Sequence, residues 1–108
     1  MSDVPEIDIE TLEDLLDGGT TLIDVREPDE YTEVHVPGAV LIPLATVPDN
    51  LAAIPTDAPV YVICKSGARS GRAVQWLRAQ GLDATNVAGG TDAWVRTGKP
   101  QVSGDEPG

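Results

Sequence analysis

Short apolar runs alternate with segments of helical periodicity along most of the chain. The runs Thr21–Val25, Val40–Ile42 and Val60–Ile63 are mainly apolar, β-branched or aromatic, which is typical of strands buried in a parallel sheet. Glu6–Ile9 and Thr85–Ala88 are predicted as two further short strands. Strands that alternate with helices imply right-handed crossovers. The pattern therefore predicts an α/β fold, with a mostly parallel central sheet of about five strands and helices on both faces.

Between the strands, apolar residues recur at the spacing of a helix face. From Ser70 to Gln80 their period is helical, and Gly81 supplies a C-terminal stop. Trp76 and Trp94 lie on apolar helix faces and are expected in the core. The other predicted helical segments are Glu10–Leu16, Pro28–Glu33, Val47–Ala53 and Thr91–Arg96.

The length of 108 residues suits one hydrophobic core, and we expect a single domain over residues 1–98. Residues 99–108 are rich in glycine, proline and polar residues and are expected to form a flexible C-terminal tail. One cysteine and one histidine exclude an internal disulfide and a zinc cluster, and no cofactor is predicted. Because the sequence has neither a membrane-length apolar stretch nor a secretory leader, it predicts a soluble, cytoplasmic protein.

Negative charge is concentrated in the first half of the chain. Residues 1–50 hold thirteen of the eighteen carboxylates and a single basic residue, Arg26, whereas residues 51–108 are nearly balanced. This distribution argues against nucleic acid and anionic membranes as partners. The acidic half is interpreted as a solvated surface, with a docking face for a basic partner as the alternative.

The only cysteine, Cys64, directly follows the run Val60–Ile63 and precedes the Ser70–Gln80 helix. It is therefore predicted to lie on a loop at the carboxyl end of a strand, where α/β sheets bind ligands. Backbone N–H groups converge on such a loop, and the helix N-terminus adds partial positive charge. We expect these groups to stabilise a thiolate and to lower the pKa of Cys64 below the ~8.5 of a free cysteine.

Basic residues gather at the same loop. The net charge is −11, yet three of the seven basic residues, Lys65, Arg69 and Arg72, lie within eight positions. Cys64 could instead be a small buried hydrophobe, as many intracellular cysteines are. A buried hydrophobic cysteine would not require basic residues to be clustered at the same loop. We therefore favour a loop that holds negative charge on or beside the sulfur.

Three segments together resemble the rhodanese-like (sulfurtransferase) family, and the likeness covers nearly all of residues 6–98. The first combines Leu22–Tyr31 with His35–Ala39, the second is the loop Cys64–Ser70, and the third is Gly89–Trp94. Each is weak alone, but all three in this order and spacing are specific. The resemblance implies the small α/β rhodanese-like domain and a cysteine that carries a sulfane sulfur as a persulfide.

The resemblance also implies roles for single residues. Cys64 would be the nucleophile and sulfur carrier, Lys65 would attract an anionic donor, and Arg69 would brace the loop and face the anion. The substrate-binding residues would be Lys65, Ser66, Gly67, Ala68 and Arg69, whose N–H groups would cradle the persulfide, and the supporting residues would be Asp24, Arg26 and Ser70.

The expected reaction begins when the Cys64 thiolate attacks the outer sulfur of a small anionic donor such as thiosulfate, releasing sulfite. Oriented N–H dipoles then hold the persulfide as an oxyanion hole would. Because the chain has no second cysteine, the acceptor must be external: cyanide, a thiol or a protein.

Two positions depart from the family pattern. Val34 stands where many members have glycine, a difference in a surface turn. Glu30 occupies a position where some thiosulfate-specialised members carry arginine, which leaves the physiological donor open. His35 is expected to fix the turn His35–Ala39 by hydrogen bonding rather than to act as a base for Cys64. Asp24 is expected to bond the backbone of a neighbouring loop rather than to take part in catalysis.

Two other function classes stay open. A cysteine phosphatase or arsenate reductase also uses Cys and Arg on one loop, but it needs five residues between them, and here four separate Cys64 from Arg69. The other class is a non-catalytic binding or regulatory module, common where this fold loses its cysteine. The sequence does not assign the donor, the acceptor, the pathway or the oligomeric state.

Overall fold

The computed structural model describes residues 4–108 and contains a five-stranded parallel sheet. Its strands are β1 (Glu6–Ile7), β2 (Thr21–Asp24), β3 (Val40–Leu41), β4 (Val60–Ile63) and β5 (Ala84–Val87), in the order β1-β5-β4-β2-β3. The pairings are parallel. The predicted α/β class is confirmed, and β4 lies at the centre of the sheet. Residues 1–3 of the predicted domain lie outside the described part of the chain.

Residues 4–108 contain four α-helices: α1 (Ile9–Leu16), α2 (Pro28–Glu33), α3 (Ala68–Ala79) and α4 (Gly90–Arg96). The first three connect strands, and α4 follows β5. The predicted helical turn after β3 consists of two short 3-10 segments, Leu44–Thr46 and Pro48–Ala53. The Asp8 side chain caps α1 by accepting the N–H of Thr11 at 2.9 Å. That cap is why β1 is shorter than the predicted Glu6–Ile9. None of the helices in residues 4–108 has the length and apolar character needed to cross a membrane.

The core has two parts, one on each face of the sheet. Successive residues of a strand point to opposite faces, so Ile63 packs with α1, α2 and α4 while Val62 packs with α3. Trp94 is buried in the part that contains Ile63, as predicted. Trp76 is half-buried at the edge of the part that contains Val62. This arrangement confirms helices on both faces.

Residues 99–108 fold back onto the domain, unlike the flexible tail expected from their composition. His35 and Val102 exchange backbone hydrogen bonds of 2.8 and 3.0 Å, and the N–H of Gly104 donates to the carbonyl of Thr32 at 2.8 Å. The buried ring of His35 lies 2.8 Å from the carbonyl oxygens of Tyr31 and Glu106, so it links the end of α2 to the C-terminal segment. These contacts use backbone groups and a buried imidazole, and composition reveals neither.

Candidate functional site

Cys64 lies directly after β4 and is buried, with 1% of its surface exposed. Its Sγ accepts a hydrogen bond from the N–H of Gly67 at 3.0 Å. Gly67 has a φ of 115°, in the left-handed region that favours glycine, and α3 begins at the next residue. The glycine thus lets the chain turn tightly enough to aim its own N–H back at the sulfur.

The first turn of α4 holds the other side of this loop. The N–H groups of Thr91 and Asp92 donate to the carbonyls of Cys64 and Lys65 at 2.9 and 3.0 Å. A Cβ at Gly90 would lie 2.5 Å from the Lys65 oxygen, so only glycine allows this approach. Because the C=O and N–H of a trans peptide point in opposite directions, the N–H groups that follow both carbonyls face away from α4.

Ser70, in the first turn of α3, supplies a side-chain donor to the sulfur. Its buried Oγ lies 3.2 Å from Cys64 Sγ. The same hydroxyl lies 3.3 Å from the carbonyl of Gly67 and 2.5 Å from Oδ1 of Asn86, a buried residue of β5. Ser70 therefore links the cysteine to the neighbouring strand.

The pKa of Cys64 reflects two opposed effects. Burial raises it, but the hydrogen bonds from the Ser70 hydroxyl and from the N–H groups of Ser70, Gly67 and Ser66 lower it. The hydrogen bonds outweigh burial, so the pKa of the thiol lies below its usual value. The sequence argument for a stabilised thiolate agrees with this direction, and the Ser70 hydroxyl was not part of that argument.

Asp24 and Arg26 form a buried ion pair at the end of β2, the strand beside β4. Arg26 Nη2 donates to Asp24 Oδ2 at 2.8 Å and also to the carbonyl of Val34 at 2.8 Å. Asp24 accepts the N–H of Arg26 at 3.1 Å, in line with the expected bond to loop backbone. The pair joins the end of β2 to the segment that follows α2.

Arg69 is placed differently from the expectation that it faces an anion above the loop. Its Nη1 and Nη2 donate to the two carboxylate oxygens of Glu30 on α2, at 2.7 and 2.9 Å. The bond from Arg69 lowers the pKa of Glu30 to about 2. The positive charge of Arg69 is therefore offset beside the sulfur site, and the basic cluster is weaker than the sequence suggests.

An open pocket of about 470 Å³ lies beside the loop. The exposed Lys65 borders it, as does Thr91, whose buried hydroxyl has no hydrogen-bond partner within residues 4–108. The wall carries both signs of charge, so it offers a reactant polar contacts without a uniform field. The lining residues are Arg26, Glu30, Glu33, Val34, Lys65, Thr91, Asp92, Val95 and Arg96.

Of the predicted site residues, Gly67 and Ser70 contact Cys64 Sγ, and Lys65 lies at the pocket edge. Arg69 is bonded to Glu30 instead. Ser66 and Ala68 are exposed on the loop and at the start of α3. The Asp24–Arg26 pair contributes to the pocket through Arg26. Sequence reasoning missed Asn86 and the bracing role of α4. The paired glycines Gly89 and Gly90 could have indicated the close contact between α4 and the cysteine loop, but by themselves they predict only a tight turn.

Fold and site together define a class of protein. It is a parallel α/β domain in which a single cysteine directly follows the central strand and accepts hydrogen bonds at its sulfur. The chain matches the Rhodanese-like domain family over residues 8–97. It belongs to this family.

Individual relatives agree with this assignment. A sulfurtransferase of Allochromatium vinosum is 38% identical over 103 residues, which cover 93% of this chain and 96% of the relative. The crystal structure of a rhodanese-related protein from Thermoplasma volcanium superposes with a TM-score of 0.85 at 31% identity, covering 91% of this chain and 97% of that one.

Longer proteins also contain a similar domain. The crystal structure of a thiosulfate sulfurtransferase from Pseudomonas aeruginosa matches with a TM-score of 0.78 at 28% identity, over 94% of this chain but 20% of that one. In three other curated relatives, the chain spans between 24% and 59% of the whole protein.

Proposed function

We propose that this protein is a sulfurtransferase that carries sulfane sulfur as a persulfide on Cys64. The observation that carries the proposal is the set of donors around Cys64 Sγ: the Gly67 N–H at 3.0 Å and the Ser70 hydroxyl at 3.2 Å. Such donors favour negative charge on Cys64 Sγ, which the attacking thiolate requires. Relatives named sulfurtransferases support the same general reaction.

The proposed cycle has two displacements at sulfur. The Cys64 thiolate attacks the outer sulfur of thiosulfate; an S–S bond forms, and sulfite leaves with the electron pair of the broken bond. An external nucleophile then attacks the outer sulfur, and the Cys64 thiolate leaves. With cyanide as the nucleophile, the product is thiocyanate. In a cell, we propose a thiol or a protein as the acceptor, reaching the sulfur from the pocket beside Lys65.

The geometry supports sulfur transfer better than phosphate chemistry. A cysteine phosphatase needs an arginine of the loop to bind phosphate oxygens, and here the Arg69 guanidinium is engaged by the carboxylate of Glu30. That carboxylate would also repel a phosphate at the same place. Four intervening residues between Cys64 and Arg69 leave the loop one residue shorter than that chemistry uses.

Intact mass before and after incubation with thiosulfate tests the proposal. Transfer adds one sulfur, about 32 Da, and cyanide removes it with release of thiocyanate. The control is Cys64→Ser, which keeps nearly the same volume and should acquire no sulfur. A wild-type mass that thiosulfate and other sulfane donors leave unchanged would contradict the carrier role.

A further inference from the structure

Asn86 joins three parts of the site that are distant in sequence. This buried residue of β5 donates from Nδ2 to the carboxylate of Glu6 at 2.8 Å and to the carbonyl of Gly67 at 3.2 Å. Its Oδ1 lies 2.5 Å from Ser70 Oγ. Ser70 in turn contacts Cys64 Sγ. A chain of hydrogen bonds therefore runs from the edge strand β1 to the sulfur.

The partners of Asn86 determine which way its amide points. A carboxylate and a backbone carbonyl can only accept hydrogen bonds, so Nδ2 must face Glu6 and Gly67. Oδ1 must then face Ser70, and because it can only accept, the hydroxyl of Ser70 has to supply the proton of that contact.

The single proton of the Ser70 hydroxyl has two principal acceptors, Asn86 Oδ1 at 2.5 Å and Cys64 Sγ at 3.2 Å. When Cys64 is a neutral thiol, its S–H can donate to Ser70 Oγ while Ser70 donates to Asn86, and every group is satisfied. When Cys64 is a bare thiolate, the Ser70 proton must turn to sulfur and Oδ1 loses its donor. A buried acceptor that loses its partner carries a free-energy cost.

We propose that Asn86 is a positioning residue of the sulfur site, which competes with Cys64 for the Ser70 proton and so disfavours the bare thiolate relative to the thiol and the persulfide. In the persulfide, charge moves to the outer sulfur, and Ser70 can again donate to Asn86. This consequence for the persulfide rests on the proposed sulfur-transfer function. The part that concerns the thiol does not.

The test measures the rate of Cys64 alkylation by iodoacetamide against pH, in the full chain and without any sulfur donor. Asn86→Leu removes the competing acceptor, so we expect the midpoint of the profile to move to lower pH by about half to one pH unit, the effect of one hydrogen bond. In a Ser70→Ala background, the same substitution should give no such lowering. Asn86→Ala repeats the test without a larger side chain, in case Asn86→Leu does not fold.

The double-mutant comparison separates positioning from a purely structural role. An equal movement of the midpoint in both backgrounds, or a movement to higher pH with Ser70 present, would overturn the proposal. A second readout is the decay of the persulfide mass in cyanide, which should be faster in Asn86→Leu because the Cys64 thiolate becomes a better leaving group. If no persulfide forms in any variant, the proposed function fails while the alkylation result still decides the role of Asn86.

Discussion

Two arginine–carboxylate pairs stand beside the same pocket, and they differ in their exposure to water. Asp24 and Arg26 meet at 2.8 Å with side chains that are 0% and 4% exposed. Glu30 and Arg69 meet at 2.7 Å with side chains that are 28% and 30% exposed. The chemistry of the two pairs is the same, so any difference in their roles comes from their surroundings.

The buried pair is part of the framework. Arg26 also donates to the carbonyl of Val34, and removing either partner would leave the other charge without compensation in the interior. The Glu30–Arg69 pair, called the exposed pair below, has water as an alternative partner, so its ion pair can open at little cost in free energy. Its carboxylate, moreover, lines the pocket that a donor would enter. Burial thus assigns one pair to stability and leaves the other able to tune binding.

The largest effect should come from breaking the buried pair. Asp24→Ala leaves the Arg26 guanidinium buried and unpaired, and we expect a loss of about 3–5 kcal/mol in the free energy of unfolding. Glu30→Ala, the matched change in the exposed pair, should cost less than about 1 kcal/mol. Urea unfolding of both variants measures the difference.

A double variant serves as the control for this prediction. Asp24→Ala/Arg26→Met removes both buried charges and should recover part of the loss, because no unpaired charge remains. Equal destabilisation by Asp24→Ala and Glu30→Ala would show that burial does not distinguish the two pairs.

The second prediction uses the exposed pair to test donor binding. Glu30→Gln removes a negative charge from the pocket and frees the Arg69 guanidinium, so we expect the KM for thiosulfate to fall by about three- to tenfold. Glu33→Gln is the matched control, since Glu33 lines the same pocket and is not the partner of Arg69. An equal fall in both variants would assign the effect to the general field instead of to Arg69.

Lys65 offers a smaller effect on the same quantity. It is exposed at the pocket edge and acts as a mobile point charge, so Lys65→Ala should raise the KM for thiosulfate about two- to fivefold with less change in kcat. Added salt should weaken donor binding in the wild type and do so less in the variant. If Lys65→Ala leaves the KM for thiosulfate unchanged, and this KM decreases as ionic strength rises, a partner protein's persulfide becomes the better candidate for the donor.

The contrast between the pairs also marks what could be predicted from the sequence. Apolar runs and motif spacing were enough for the parallel sheet and for a cysteine at the end of β4, because both depend on local patterns. The partnership of Arg69 with Glu30 spans 39 positions, and that of Asn86 with Glu6 spans 80. Such contacts depend on how strands and helices are juxtaposed, as do the bonds that hold residues 99–108. No local pattern carries that information.

The smallest predicted effect is a pH dependence confined to the exposed pair. The hydrogen bond from Arg69, with a smaller contribution from the N–H of Glu27, lowers the pKa of Glu30 from 4.5 to about 2 in the folded protein. A carboxyl whose pKa is lower when folded adds stability above its unfolded pKa, and that stability disappears as pH falls through the folded value. We therefore expect the wild type to exceed Glu30→Gln in unfolding free energy by a constant amount above about pH 5, with the difference shrinking as pH falls and vanishing only below about pH 2.

Solvent screening limits this difference to less than about 1 kcal/mol, so urea unfolding at closely spaced pH values is needed to resolve it. Glu33→Gln, which leaves the Arg69 pair intact, should run parallel to the wild type across the same range. A gap between wild type and Glu30→Gln that widens as pH falls would mean that Arg69 does not hold this carboxylate in its charged form. The Glu30–Arg69 pair would then not be expected to influence donor binding in the pocket. The two pairs would differ only in how much they contribute to stability.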